Sequence, residues 1–280
     1  MGDLTRRVSI ERAAYGKDSF RVVVGPAGPE GEILDADISI AVEGTFAASF
    51  LSGDNTAVLP SDTLRRHALA ECARWAGEPV ENLLERIAAR LLGANPAFDA
   101  AAVTAAVGQW SATTPGSWRR GGLAYRVGLR TSATGQVRWG AVDVDLLAAG
   151  GSDFAGFLRD PLTVQADAFD RPVAASIELC WTVDPAATFP PGAGRSAAEV
   201  VEAATAGFGA GPTGSVQELA YRMATTVLAR VSHLAGVELT LRAEPLSPVP
   251  AELAGTDRAL AHEWAPGPVG VTEVSVRAET

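Results

Sequence analysis

Two periods of hydrophobic residues alternate along this chain, and together they predict an α+β protein. Residues 20–24 read as a strand, and residues 33–42 as a longer one, with Ile33, Ala36, Ile38, Ile40 and Val42 separated by polar or small residues. A turn at Gly53-Asp54-Asn55 follows. Ser61-Asp62-Thr63 then opens a helix, where Ser61 or Asp62 is expected to act as N-cap by accepting a bond from a free backbone N–H. Leu64, Ala68, Cys72 and Trp75 recur at helical spacing and form its core face. A second helix is predicted over residues 80–92, closing near Gly93. Strands at 123–132 and 137–147 are joined by a turn around Gly135.

The second half repeats the plan. A loop over 150–171 leads to a strand at 173–183, then to a helix at 197–206. A long helix over 215–235 places Val216, Leu219, Met223, Val227, Val231 and Leu234 on one face. Strands at 237–242 and 271–276 end the chain, with a Pro-rich loop between them. Strand pair, two helices, strand pair, occurring twice, is a repeat of pattern without strong residue identity. The boundary is expected near Gly150-Gly151, giving domains 1–149 and 150–280. An antiparallel sheet with helices on one face leaves its other face and its edges to be covered, so oligomerisation is expected on structural grounds alone.

Composition narrows the function classes. The formal net charge of −10 repels a phosphate backbone, so nucleic acid is not an expected partner. No apolar run is long enough to span a bilayer, residues 1–15 lack the apolar stretch of a secretory signal, and a cytoplasmic location is expected. Cys72 and Cys180 are expected to be buried thiols, not a disulfide or a nucleophile. His67, His233 and His262 are too scattered to suggest a metal site. Asp143 and Asp145 alternate with Val142 and Val144, as on a solvated strand face. Gly209 to Gly214 match G-x-G-x-x-G formally, but they follow a helical segment, so a flexible helix–helix connector with Ser215 as cap is expected in place of a dinucleotide fingerprint.

The chemistry-bearing pieces are scattered. They are Tyr15-Gly16-Lys17-Asp18; the run Gly53 to Thr63; Phe154-Ala155-Gly156-Phe157-Leu158-Arg159-Asp160; Asp170-Arg171; Ser215-Val216-Gln217 with Tyr221-Arg222-Met223-Ala224 and Leu228-Ala229-Arg230; and Trp264-Ala265-Pro266. In order and spacing, across nearly the whole chain, they resemble the signatures of the urate oxidase (uricase) family. The resemblance implies two tandem T-fold domains, each an antiparallel four-stranded sheet with two helices, in a homotetramer whose barrel forms a tunnel with active sites at subunit interfaces. It implies oxidation of urate or a urate-like N-heterocycle with O2 as co-substrate, and no metal or organic cofactor.

By the same resemblance, Arg171 and Gln217 match the pair that grips the planar ring, Val216 adds a backbone donor, and Phe154 matches the aromatic that stacks on it. A guanidinium fork and a carboxamide suit the carbonyl and N–H edge of a dione. Lys17 matches the family's proton-transfer lysine, Ser61 stands where the family has Thr, and Asp62 matches the acidic residue beside it.

One departure stands out. The family places an Asn and, two residues later, a His after the S-V-Q helix, where they hold oxygen or water and complete the proton relay. Aligning residues 237–241 with the family strand puts Ala243 and Pro245 there, and neither side chain can relay a proton. His262, beyond the Pro-rich loop, is a possible substitute. Two readings follow: an oxidase with a modified relay, or a catalytically impaired T-fold homologue that binds a heterocycle or has a structural role.

Overall fold

A computed structural model describes residues 9–25, 32–114, 116–187, 196–244, 246–249, 262–264 and 267–279. The chain divides into two compact units, Met1–Trp139 with Phe189–Gly194, and Gly140–Thr188 with Arg195–Thr280.

In the first unit, β1 (Ala14–Val24) and β2 (Leu34–Gly44) lead into the helices α1 (Ala47–Ser52), α2 (Ser61–Cys72) and α3 (Val80–Ala94). Then come β3 (Phe98–Gly108), the hairpin β4 (Trp110–Thr114) and β5 (Ser117–Arg120), and β6 (Tyr125–Ser132). The sheet runs β1-β2-β3-β6, each neighbouring pair antiparallel. β2 shows why it forms: Leu34, Ala36, Ile38, Ile40 and Val42 are buried in alternation, as a strand with one covered face requires. Leu64, Ala68 and Cys72 of α2 and Leu83, Leu84, Ile87 and Leu91 of α3 join the same hydrophobic core.

The N-cap of α2 is Pro60, with no side-chain bond; its carbonyl accepts from Thr63 N and Leu64 N, so Ser61 and Asp62 lie inside the first turn. α2 ends at Cys72, and Trp75 is buried just beyond it, its indole N–H donating to Glu78 O at 2.7 Å. Gly93 lies within α3. β3 has no counterpart in the sequence reading: Ala100, Ala101, Ala102, Ala105 and Ala106 blunt its alternation. It is β3 and β6, not residues 123–147, that complete this unit's second strand pair.

β7 (Gly135–Phe154) carries the chain into the second unit and runs through the segment expected to be loop after Gly150. Asp143 and Asp145 are exposed on it, as expected. β8 (Ala168–Val183), α4 (Ser196–Phe208), α5 (Val216–Arg230) and β9 (Leu234–Glu244) follow, with the short pair β10 (Leu246–Pro248) and β11 (His262–Trp264), then β12 (Gly270–Arg277). The strand order is β7-β8-β9-β12. α5 stops at Arg230 because Leu234 already starts β9. α4 and α5 pack closely: a Cβ on Gly207 would meet Met223 Cα at 2.8 Å, so this crossing requires glycine. The Gly-rich connector follows α4, as expected, but it is pinned: the Arg222 guanidinium donates to the carbonyls of Gly207, Phe208, Gly211 and Pro212. Cys72 is buried, with its thiol pushed up to about 11 by desolvation, whereas Cys180 is only half-buried, contrary to expectation.

Candidate functional site

The sequence-predicted residues fall into two groups, one in each unit. Lys17 belongs to the first. A register shift between Lys17 and Phe20 interrupts the β1–β2 ladder, and Ser19 takes a positive φ of 50° at that bulge. Ser19 N donates to Ser39 Oγ at 3.1 Å and Ser19 Oγ donates to Asp37 at 3.0 Å, which fixes the bulge. Gly16 is required one residue earlier, because a Cβ there would lie 1.8 Å from Ile40 O.

Tyr15 ties this strand to the segment before α2. Its hydroxyl donates to Leu59 O at 2.8 Å and accepts from Leu59 N at 2.9 Å, and its ring packs edge-on to Phe46. The run Gly53 to Thr63 is shaped by Asp54, which accepts from Thr56 N, and by Asn95, which donates to Ala57 O at 3.0 Å. Together these bonds set Lys17 Nζ 3.2 Å from Asp62 Oδ1. Lys17, and Arg65 at 3.6 Å, hold the Asp62 carboxyl below the usual carboxylate range. Lys17 and Asp62 are substantially exposed, at 40% and 66% of their side chains, so this pair presents its charges outward. Ser61 is half-buried beside Asp62 on the first turn of α2.

The second group surrounds a cavity of about 730 Å³. Arg171 of β8, Val216 of α5, Ala243 and Glu244 of β9, Pro248 of β10 and His262 of β11 line it. Asp170 positions Arg171: it adopts φ 48°, its carboxylate accepts from Gly151 N at 2.7 Å, and its own N–H donates to Asp153 Oδ1 at 2.8 Å. Arg171 Nε is buried, and among the described residues it has no hydrogen-bond partner. Phe154 lies outside the lining; its ring stacks on Phe157 at 4.7 Å, and the Arg171 guanidinium sits 5.6 Å from its centroid. Arg159 covers Phe157 and donates to Gln165 O and Asp167, folding the loop that the F-x-G-F-L-R-D run begins.

Val216 owes its place to helix capping. Ser215 Oγ accepts from Glu218 N at 3.1 Å, and Glu218 reaches back to accept from Gly214 N at 2.7 Å. Val216 and Gln217 therefore stand on the first turn of α5, where backbone N–H groups lack intrahelical acceptors and carry partial positive charge. Val216 lines the cavity, while Gln217 is exposed on the same turn.

Ala243 contributes only a methyl to the wall. Pro245, Ala265 and Pro266 lie outside the described residues. Glu244 and Asp170 are cavity-lining carboxylates that sequence reasoning did not select as site residues, although Asp170 stood in the Asp170-Arg171 pair. Among the described residues, no group of three or more His, Cys, Asp or Glu side chains could hold a metal, and no helix is long and apolar enough to cross a membrane.

The Uricase family profile matches residues 137–267, which span most of the cavity lining. A uricase of Haloferax volcanii is 24% identical over 239 residues, covering 75% of this chain and 76% of that protein. A uricase of Halalkalicoccus jeotgali is 23% identical over 276 residues, covering 89% and 88%. The crystal structure of uricase from Arthrobacter globiformis superposes with a TM-score of 0.87 at 21% identity, over 98% of this chain and 96% of that one, which establishes a shared α+β T-fold. Profile, relatives and fold agree in their likeness to uricases, the profile over the second part of the chain and the relatives and fold over most of it.

Proposed function

We propose that this protein oxidises urate, or a urate-like planar N-heterocycle, with dioxygen and without metal or organic cofactor. The observation that carries this reading is a cavity lined both by Arg171, whose buried Nε has no hydrogen-bond partner among the described residues, and by Val216 on the first turn of α5. Both features favour an anionic, carbonyl-bearing ring. Arg171, the Val216 N–H and Gln217 would grip its edge, and Phe154 would support it beside the guanidinium. Held in this way, a ring that loses a proton becomes an electron-rich anion able to reduce O2.

Lys17 and Ser61, with Asp62, are the proposed proton-transfer group, supplied by a neighbouring subunit of a homotetramer. Lys17 and Asp62 face outward, and Leu158, Leu162 and Val164 are 95%, 85% and 98% exposed; such apolar surface invites a partner. Covering the Lys17–Asp62 pair would remove solvent and make proton transfer sensitive to the ring beside it.

The test is oxygen uptake by metal-stripped protein with urate, xanthines and related azaheterocycles. Uptake with one ring is the expected result. Ala243 and Pro245 favour a second reading, ring binding without turnover. No uptake with any ring, together with binding of xanthine that weakens in Arg171→Ala, would establish that reading.

A further inference from the structure

We propose that His262 is the proton-transfer side chain of this cavity, doing from β11 the work that the family places at the position of Pro245. This rests on the oxidase reading above. Of the cavity-lining residues, Asp170, Glu244 and His262 can exchange a proton. Asp170 is committed to the strand contact that holds Arg171. A second carboxylate, Glu244, would be repelled by an anionic ring, as like charges disfavour each other at short range. A neutral imidazole escapes that repulsion and offers a donor on one nitrogen and an acceptor on the other.

Strand pairing puts His262 in this place. In the β10–β11 pair, Leu246 opposes Trp264, Ser247 opposes Glu263 and Pro248 opposes His262, so the register sets His262 across from a residue that itself lines the cavity. Small residues share the lining with it. Ala243 pairs with Ala175 on one side and Gly270 on the other, and Ala174, Ala243 and Gly270 all line the cavity. The position that loses a polar side chain is thus bordered by small residues, and His262 of another strand lines the same cavity.

In the reaction, two electrons pass from the ring to O2, and the two protons the ring releases end on the reduced oxygen as hydrogen peroxide. His262 accepts one of those protons through its unprotonated nitrogen and delivers it to the peroxide oxygen, returning to its neutral form.

The experiment compares oxygen uptake with urate by wild type, His262→Ala and His262→Gln, with xanthine binding measured in parallel. We expect kcat to fall by about 10²- to 10⁴-fold, the range of a positioned acid–base group, with KM and xanthine affinity nearly unchanged. Added imidazole should restore part of the rate in His262→Ala. His262→Gln, close to His in volume, reads the same loss if the Ala variant folds poorly. Active wild type with an undiminished kcat in both variants overturns the assignment. So does a parallel loss of rate and xanthine affinity without imidazole rescue, which marks a structural role. Inactive wild type overturns the oxidase reading itself, and the assignment with it.

Discussion

The two groups of candidate residues handle charge in opposite ways. In the first unit, Lys17 already has its carboxylate, Asp62, at 3.2 Å, and both remain open to solvent. In the second unit, Arg171 Nε is buried in the wall of a concave site and, among the described residues, has no acceptor. A satisfied, exposed pair adds little to the fold and can exchange partners at little cost, which suits a group that moves protons. An unsatisfied buried donor costs stability until a ligand meets it, which suits a group that binds. Their supports differ accordingly. Tyr15 fixes Lys17 through a hydroxyl bonded to a distant backbone segment, whereas Asp170 fixes Arg171 through a strained residue adjacent in sequence.

The comparison breaks most sharply at Lys17. Lys17→Ala should lower kcat by about 10²- to 10⁴-fold while leaving xanthine affinity intact, because the residue is assigned to proton transfer and not to ring binding. Steady-state oxygen uptake beside equilibrium binding measures both. Arg171→Ala should do the reverse. Losing a charge-assisted bond of about 1.5–3 kcal/mol lowers kcat/KM by about 10- to 100-fold, and xanthine affinity falls with it. If Lys17→Ala weakened xanthine binding as much as Arg171→Ala, the division of labour would be wrong.

How far the sequence revealed this arrangement depended on local contrast. β2 was legible because Ile38 and Ile40 alternate with Asp37 and Ser39, and one face is buried. β3 was not, since alanines at both faces give no contrast and favour helix on propensity. The α2 boundary was misplaced by one or two residues: Ser61 and Asp62 are good caps by type, yet Pro60 holds the N-cap position, with no side-chain cap. Val216 was singled out by the family likeness and by Ser215 read as the cap of its helix; the reciprocal bond from Gly214 N to Glu218 emerged only in the structure. The place of His262 in the cavity wall was beyond local reading, because only the β10–β11 register brings it to Pro248.

A smaller effect tests the Tyr15 support. Tyr15→Phe keeps the ring against Phe46 but leaves Leu59 N–H and C=O without their shared hydroxyl. Stability should drop by about 1–3 kcal/mol, the usual penalty for part-buried backbone groups losing a partner. Urea denaturation at constant m-value checks this. Oxygen uptake should fall as well, since the segment leading into Ser61 and Asp62 loses its tie to β1. Phe in place of Tyr with unchanged stability would mean that the aromatic packing alone holds the two segments.

The smallest effect concerns the exposed pair itself. Lys17 lowers the Asp62 carboxyl below its ordinary value, chiefly by hydrogen bonding and then by its charge. A depressed carboxyl adds stability above its unfolded pKa and loses that contribution as pH falls through the folded value. The contribution is therefore complete at neutral pH and fades below about pH 4. Because the pair is exposed, Asp62→Asn should barely move the denaturation midpoint at pH 7, and any difference from wild type should vanish in acid and in high salt. Its effect on oxygen uptake should exceed its effect on stability, because the carboxylate orients Lys17. A clear loss of stability at neutral pH that survived high salt would mean that the pair is buried in the assembled protein, and that Lys17 is held by a partner surface instead of being presented to one.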